Sequence, residues 1–288
     1  PGGTMSIVPI PGTNGEFLAV QKFFRMYDWE EAKVVHVRPK DSGGYEVTDV
    51  LHLPYLHRFD LLTVGDRHYF LGATLATTKK TKEDWSDPGK LWVGEYTGPG
   101  PLKVTVLKEG LTKNHGYSRL TQNGVMTSLV TCNEGAFEVK PPQIPGADWT
   151  VEQFMDWPIS DISAIDIDGD GELEFATIED FHGAHFRVYK KIDGAFKKIY
   201  EHPEATEFYH VVVGTTLAGT PVFIGGCRRG KQQLFYVCAS KTEPLELRAQ
   251  LIEEGVGPSN VHVVHEKGRD IIVAANREIN EAAVYFVS

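Results

Sequence analysis

Short runs of β-branched and aromatic residues recur along the chain, and Gly, Pro, Asn and Asp separate them. Examples are residues 32–37, 91–96, 104–107, 186–189, 222–225, 234–237 and 271–275. Helical periodicity is scarce; only 27–33 and 151–154 are compatible with short helices. Aligned on one another, the apolar runs fall into six units, each an apolar strand, a turn and a second, more strongly apolar strand. First strands are expected over 5–10, 59–64, 117–120, 162–165, 211–214 and 261–264, and second strands over 17–20, 69–73, 126–131, 174–178, 222–225 and 271–275. Third strands follow in every unit, as at 90–96, 185–190, 233–238 and 282–287. Fourth strands follow in most, as at 102–107, 196–200 and 245–251.

Four strands per repeat of roughly fifty residues is the signature of a β-propeller blade. The expected fold is therefore all-β: a single β-propeller domain over 1–288, of six blades with four antiparallel strands each, seven being the alternative blade count. Because the last unit ends at Ser288, just after its third strand, blade six is expected to have three strands. A two-sheet sandwich explains the strands less well, because it predicts no template common to six units.

The turn inside the fourth unit carries Asp166, Asp168, Asp170, Glu172 and Glu174, with Gly169 and Gly171 allowing it to close. Carboxylates on alternate positions of a tight turn suit a hard, oxygen-seeking cation, so these five residues are candidate calcium ligands. Apolar runs flank the turn, which argues for a metal-clamped β-hairpin and against an EF-hand. The segment Ile165-Asp166-Ile167-Asp168-Gly169-Asp170-Gly171-Glu172-Leu173-Glu174-Phe175 resembles the calcium hairpin of FG-GAP/VCBS propellers. Only the fourth unit carries it, so the resemblance implies one structural calcium. Leu56-His57-Arg58, Tyr209-His210-Val211 and the same hairpin resemble, more weakly, the propeller part of the aldos-2-ulose dehydratase group. That likeness implies metal in the propeller and an oxidised sugar such as 1,5-anhydrofructose as substrate class, although the group's cupin-like domains have no room in this chain.

Counting back from each first strand, the equivalent positions hold Gly3, His57, His115, Ser160, His210 and Ser259. First strands line the axis of a propeller, so these positions are expected to form a ring. Three histidines in it, His57, His115 and His210, are candidate ligands of a divalent transition metal such as manganese or zinc, and His262 is a fourth candidate. Isolated strand histidines that merely pack are the competing reading. Turns between second and third strands are expected at the same end. They hold Lys22 and Arg25, Asn133 and Glu134, Glu179 and Asp180, His182 and His185, Arg228 and Arg229, and Asn276, Arg277 and Glu278. Among them His182 and His185 are candidate catalytic bases, and Arg228 and Arg277 candidate catalytic cations. Trp85, in a polar loop, is a candidate for stacking on a sugar face.

Composition narrows the partners. A formal net charge of -10 disfavours nucleic acid and anionic membranes, and no apolar run reaches the length of a membrane span. Cys132, Cys227 and Cys238 cannot all pair within one chain, and Pro1-Gly2-Gly3-Thr4 lacks the basic and apolar parts of a leader, so a cytoplasmic location is expected. A hydrophobic content of 41% suffices for a sizeable core. The expected function is a metal-dependent, carbohydrate-active lyase or dehydratase. It would act on an oxidised sugar by α-proton abstraction and β-elimination, as a monomer or homo-oligomer. A non-catalytic sugar- or protein-binding propeller and a glycoside hydrolase are the alternatives.

Overall fold

A computed structural model describes residues 3–23, 29–240 and 245–287. Arg25 lies outside the described residues. Two compact units, Pro1–Trp157 and Pro158–Ser288, divide the chain, and each contains three successive antiparallel sheets. Within every sheet the strands are hydrogen-bonded in chain order, so each is an up-and-down blade. Blades one to three (7–52, 56–111, 116–155) belong to the first unit, and blades four to six (161–201, 209–253, 258–287) to the second. Among the described residues five blades have four strands and blade six has three. The fold class is an all-β, six-bladed propeller. Among the described residues no helix is long and apolar enough to cross a membrane.

Second strands are buried on both faces, which explains their continuous apolar runs. Along Arg67–Thr74 the residues from Tyr69 to Thr74 are all buried, as are those from Thr127 to Cys132 along Val125–Cys132 and from Val222 to Cys227 along Thr220–Cys227. Leu62, Leu71 and Leu91 of blade two pack with Val130, Phe137 and Val139 of blade three. In the second unit Phe186 and Val188 of blade four pack with Tyr209, Phe223 and Phe235 of blade five. Blade six departs from this rule. Its strand Arg269–Asn276 alternates between buried and exposed, with Val273 exposed on it, and Val284 and Phe286 are exposed on the next strand, Glu281–Val287.

One expected helix is a strand. Residues 151–154 lie within Thr150–Met155, the fourth strand of blade three, paired to Gly135–Lys140. So short a helix cannot recover its nucleation cost, whereas an open sheet edge satisfies the backbone at once. Of the other, Trp29–Glu31 forms a 3-10 turn, Lys33 already starts a strand, and 27–28 lie outside the described residues.

Polar clamps join first strands. Asp60, buried in strand Leu56–Val64, receives both arms of the Arg119 guanidinium (Nε to Oδ2 2.8 Å), the Tyr117 hydroxyl (2.7 Å) and the Leu61 amide (2.8 Å). Because Tyr117 donates to Asp60, the Ser128 hydroxyl 2.6 Å away must donate to Tyr117. Burial, with the Asp60 charge beside it, holds the Tyr117 phenol well above its usual range.

Two stability changes are expected. Gly225 has no room for a Cβ, which would lie 2.4 Å from the Phe235 ring and 2.8 Å from Phe186. Gly225→Ala should cost about 2 kcal/mol in denaturant unfolding. Asp60→Ala strands a guanidinium and a buried phenol and should cost about 3 kcal/mol, against about 1 kcal/mol for Tyr117→Phe. Equal, small losses in the two would remove the clamp's role.

Candidate functional site

The predicted ring positions share one local device. In blade two the pairing steps from Leu56 to Arg58, in blade five from Tyr209 to Val211, and in blade six from Pro258 to Asn260. His57, His210 and Ser259 are therefore the extra residues of β-bulges. These three first strands begin two or three residues earlier than their apolar runs suggest, because each run is interrupted at its bulge. A bulge takes its residue out of the ladder and re-aims the side chain, as recurs beside active sites. His115 and Ser160 stand just before their strands and are tied to the second strand through their amides, to Thr131 O (3.1 Å) and Ile178 O (2.8 Å).

The bulges also fix imidazole tautomers. His210 Nδ1 lies 2.7 Å from the Ser259 carbonyl oxygen, and His57 Nδ1 lies 3.3 Å from that of His115. A carbonyl only accepts, so each Nδ1 carries the proton and each Nε2 is the basic nitrogen, the form a metal or an acidic proton requires. In the first unit the His57 and His115 rings lie 4.5 Å apart, with Phe23 against His57 at 5.2 Å.

In the second unit His210 meets a partner that repeat register does not reveal. His182, from the turn after the second strand of blade four, stacks on His210 at 5.4 Å and on Phe208 at 4.4 Å. His182 and His210 each offer a ring nitrogen within 4.8 Å of the other's, so the pair could hold a metal ion. His182 and Phe208 both have left-handed backbones, φ 50° and 70°. Such conformations persist only where surroundings enforce them, and they cluster at functional sites. Here the Ser160 hydroxyl accepts the His182 amide (3.0 Å), and the Phe208 amide donates to the His182 carbonyl (3.0 Å). The sequence signs of this corner are the place of His182 in a turn expected at the ring's end and an aromatic near a histidine in both segments, Phe181-His182 and Phe208-Tyr209-His210.

Arg228 completes the corner. Its guanidinium lies 4.5 Å over the Phe208 ring and its amide donates to the Phe208 carbonyl (2.9 Å). It is buried, and Glu278 Oε1 accepts from Nε (2.9 Å) and Nη2 (2.6 Å) while Arg229 reaches Oε2 (3.2 Å). Hydrogen bonds from Arg228 hold the Glu278 carboxyl below its usual range.

Other predicted residues are employed elsewhere. His185 pairs with Glu201 of the fourth strand (2.8 Å), and Arg277 is exposed at the start of the 3-10 turn Arg277–Ile279. His262 is exposed in the middle of its strand, opposite Val273 and away from the Ser259 bulge. Glu179 is buried under three donors: Arg187 Nη1 (2.6 Å), the Thr177 hydroxyl (2.8 Å) and the Tyr189 hydroxyl (3.3 Å). Lys22 pairs with Glu31, and Glu134 accepts the Thr112 amide. Trp85 lies under the Lys79 ammonium at 3.1 Å. In the acidic hairpin Asp166, Asp168 and Glu174 bring oxygens within 4.8 Å of one another, a group that could hold a cation, while Glu172 is exposed.

No protein-family model matches the chain, and no curated protein matches it, so the likeness to FG-GAP/VCBS propellers and to the dehydratase group gains no support there. Solved structures do resemble it. A protein of Bacteroides uniformis assigned as a 6-phosphogluconolactonase is 13% identical, with 97% of this chain and 79% of that one covered and a TM-score of 0.62. The periplasmic gluconolactonase of Pseudomonas aeruginosa is 12% identical, with coverage of 98% and 87% and a TM-score of 0.59. The sialidase of Trypanosoma rangeli is 15% identical with a TM-score of 0.53, and 98% of this chain matches 53% of that larger protein. At such identities the likeness establishes the fold that these proteins share with this chain.

Proposed function

We propose that this chain is a sugar-acting enzyme whose substrate is a small carbohydrate bearing a carbonyl. The observation that carries the reading is the second-unit corner: a bulged His210 with a fixed tautomer, His182 stacked on it in an enforced backbone, and a buried guanidinium beside them. The names of similar solved structures, two of them gluconolactonases, support a sugar as substrate class.

We assign a divalent transition metal, manganese or zinc, to His57 and His115 in the first unit and, separately, to His210 in the second. Borderline nitrogen donors with Nε2 basic suit such ions. A metal there would polarise a substrate carbonyl. His182 acts as base and takes the α-proton of an oxidised sugar; the C–H electron pair becomes the new C=C bond as the bond from the β-carbon to oxygen breaks, and the proton returns from His182 to that oxygen, which leaves as water. Arg228 orients the anionic or enolic oxygen, as its fork geometry suits. The gluconolactonase names favour a second reading in which His182 instead deprotonates water that attacks a sugar lactone. Both need the same polarised carbonyl.

Activity and metal content test the proposal separately. Elimination from 1,5-anhydrofructose and hydrolysis of glucono-δ-lactone should be assayed side by side, and His182→Ala should lower the active one about 100-fold or more. No turnover of either compound, or full activity in the variant, sinks the enzyme reading. Elemental analysis of undialysed protein should show a transition metal that His57→Ala/His210→Ala loses. A metal-free wild type, even after incubation with manganese or zinc, would leave these histidines as packing residues.

A further inference from the structure

The acidic hairpin of blade four already contains a cation. Lys190, in strand His185–Ile192, places its Nζ 2.6 Å from Asp168 Oδ2, 2.7 Å from Asp170 Oδ2 and 2.9 Å from Glu174 Oε1. Its side chain is 14% exposed and Glu174 is fully buried, so the ammonium is largely covered on the Glu174 side while Asp170 faces solvent. The remaining oxygens face backbone amides. Asp166 Oδ1 accepts from Gly169 (2.7 Å) and Asp170 (3.1 Å), and Oδ2 from Gly171 (2.9 Å). Asp168 Oδ1 accepts from Asp170 (3.3 Å), Asp170 Oδ1 from Glu172 (2.9 Å) and Glu174 Oε2 from Ile167 (2.8 Å). Every carboxylate oxygen of Asp166, Asp168, Asp170 and Glu174 thus has a donor or the ammonium against it.

We infer that Lys190 is the resident cation of this hairpin, and that calcium enters it only by displacing the ammonium. Two reasons support this. A dication among the same oxygens would sit within a few ångströms of Nζ, where like charges repel strongly in a partly dry environment. Displacement would also drive a charged side chain out of its best contacts. The chemistry of the four carboxylates suits a hard cation, so Lys190 and not the acidic set decides occupancy. The inference is independent of the sugar-acting reading.

Calcium calorimetry and thermal unfolding of wild type, Lys190→Arg and Lys190→Met test it. After all three are stripped of metal with EDTA and dialysed, wild type and Lys190→Arg should show no calcium heat below about 1 mM and no change in Tm on adding calcium. Lys190→Met should bind one calcium at least tenfold more tightly than wild type. In excess calcium its Tm should rise by about 5 °C. If Lys190→Met unfolds without calcium, refolding on calcium addition is the same positive result, and failure to refold counts against the inference. Micromolar calcium binding by the stripped wild type with a rise of its Tm in calcium would overturn it, as would a Lys190→Met response no larger than that of wild type.

Discussion

Burial of the second strand between neighbouring blades is the constraint on which the structure rests. A strand covered on both faces must be apolar throughout, and its neighbours must be shaped to it. Gly225 shows how tight the fit is: the rings of Phe235 and Phe186 fill the space a methyl group would take. Where that cover is lacking, as on blade six, the pattern reverts to alternation and Val284 and Phe286 remain in solvent. With the second strands fixed, the first strands are free to be irregular, and irregularity is what the candidate site needs.

The bulges at His57, His210 and Ser259 convert an ordinary strand position into a chemical one. Removing a residue from the ladder frees its ring to find a carbonyl on the neighbouring blade, and that hydrogen bond selects the tautomer. His182 reaches His210 by a different device, a left-handed backbone held by the Ser160 hydroxyl. Arg228 is held by Glu278 and carried by the Phe208 ring. Side chains of three blades within one unit thus depend on one another, which is the preorganisation a polar reaction requires.

Charge in the interior follows one rule in two places. Asp60 is tolerated because a guanidinium, a phenol and an amide converge on it, and Glu174 because an amide and an ammonium do. In the first case the partner comes from the next blade and joins two first strands. In the second it comes from the same blade and closes a turn. A carboxylate-rich turn is thus compatible with an internal cation as well as a bound one, and the sequence of the turn alone does not distinguish them.

The sequence by itself determined the architecture. Apolar runs at 69–73, 126–131, 174–178 and 222–225, spaced by roughly fifty residues, announce doubly covered strands. It also marked His57, His115 and His210 as equivalent positions, because a repeat puts equivalent residues in equivalent places. Tertiary structure alone decided what those positions are. A bulge leaves no mark in an apolar pattern, so the early starts at Leu56 and Tyr209 were invisible, and 151–154 became a strand only because a sheet edge stood ready for it. The contacts of His182 with His210 and of Lys190 with the acidic turn join residues 16 to 28 positions apart in neighbouring strands and turns. Periodicity reports which face a residue occupies; it carries no information on where a long polar side chain ends, and in this protein the ends of those side chains set the chemistry.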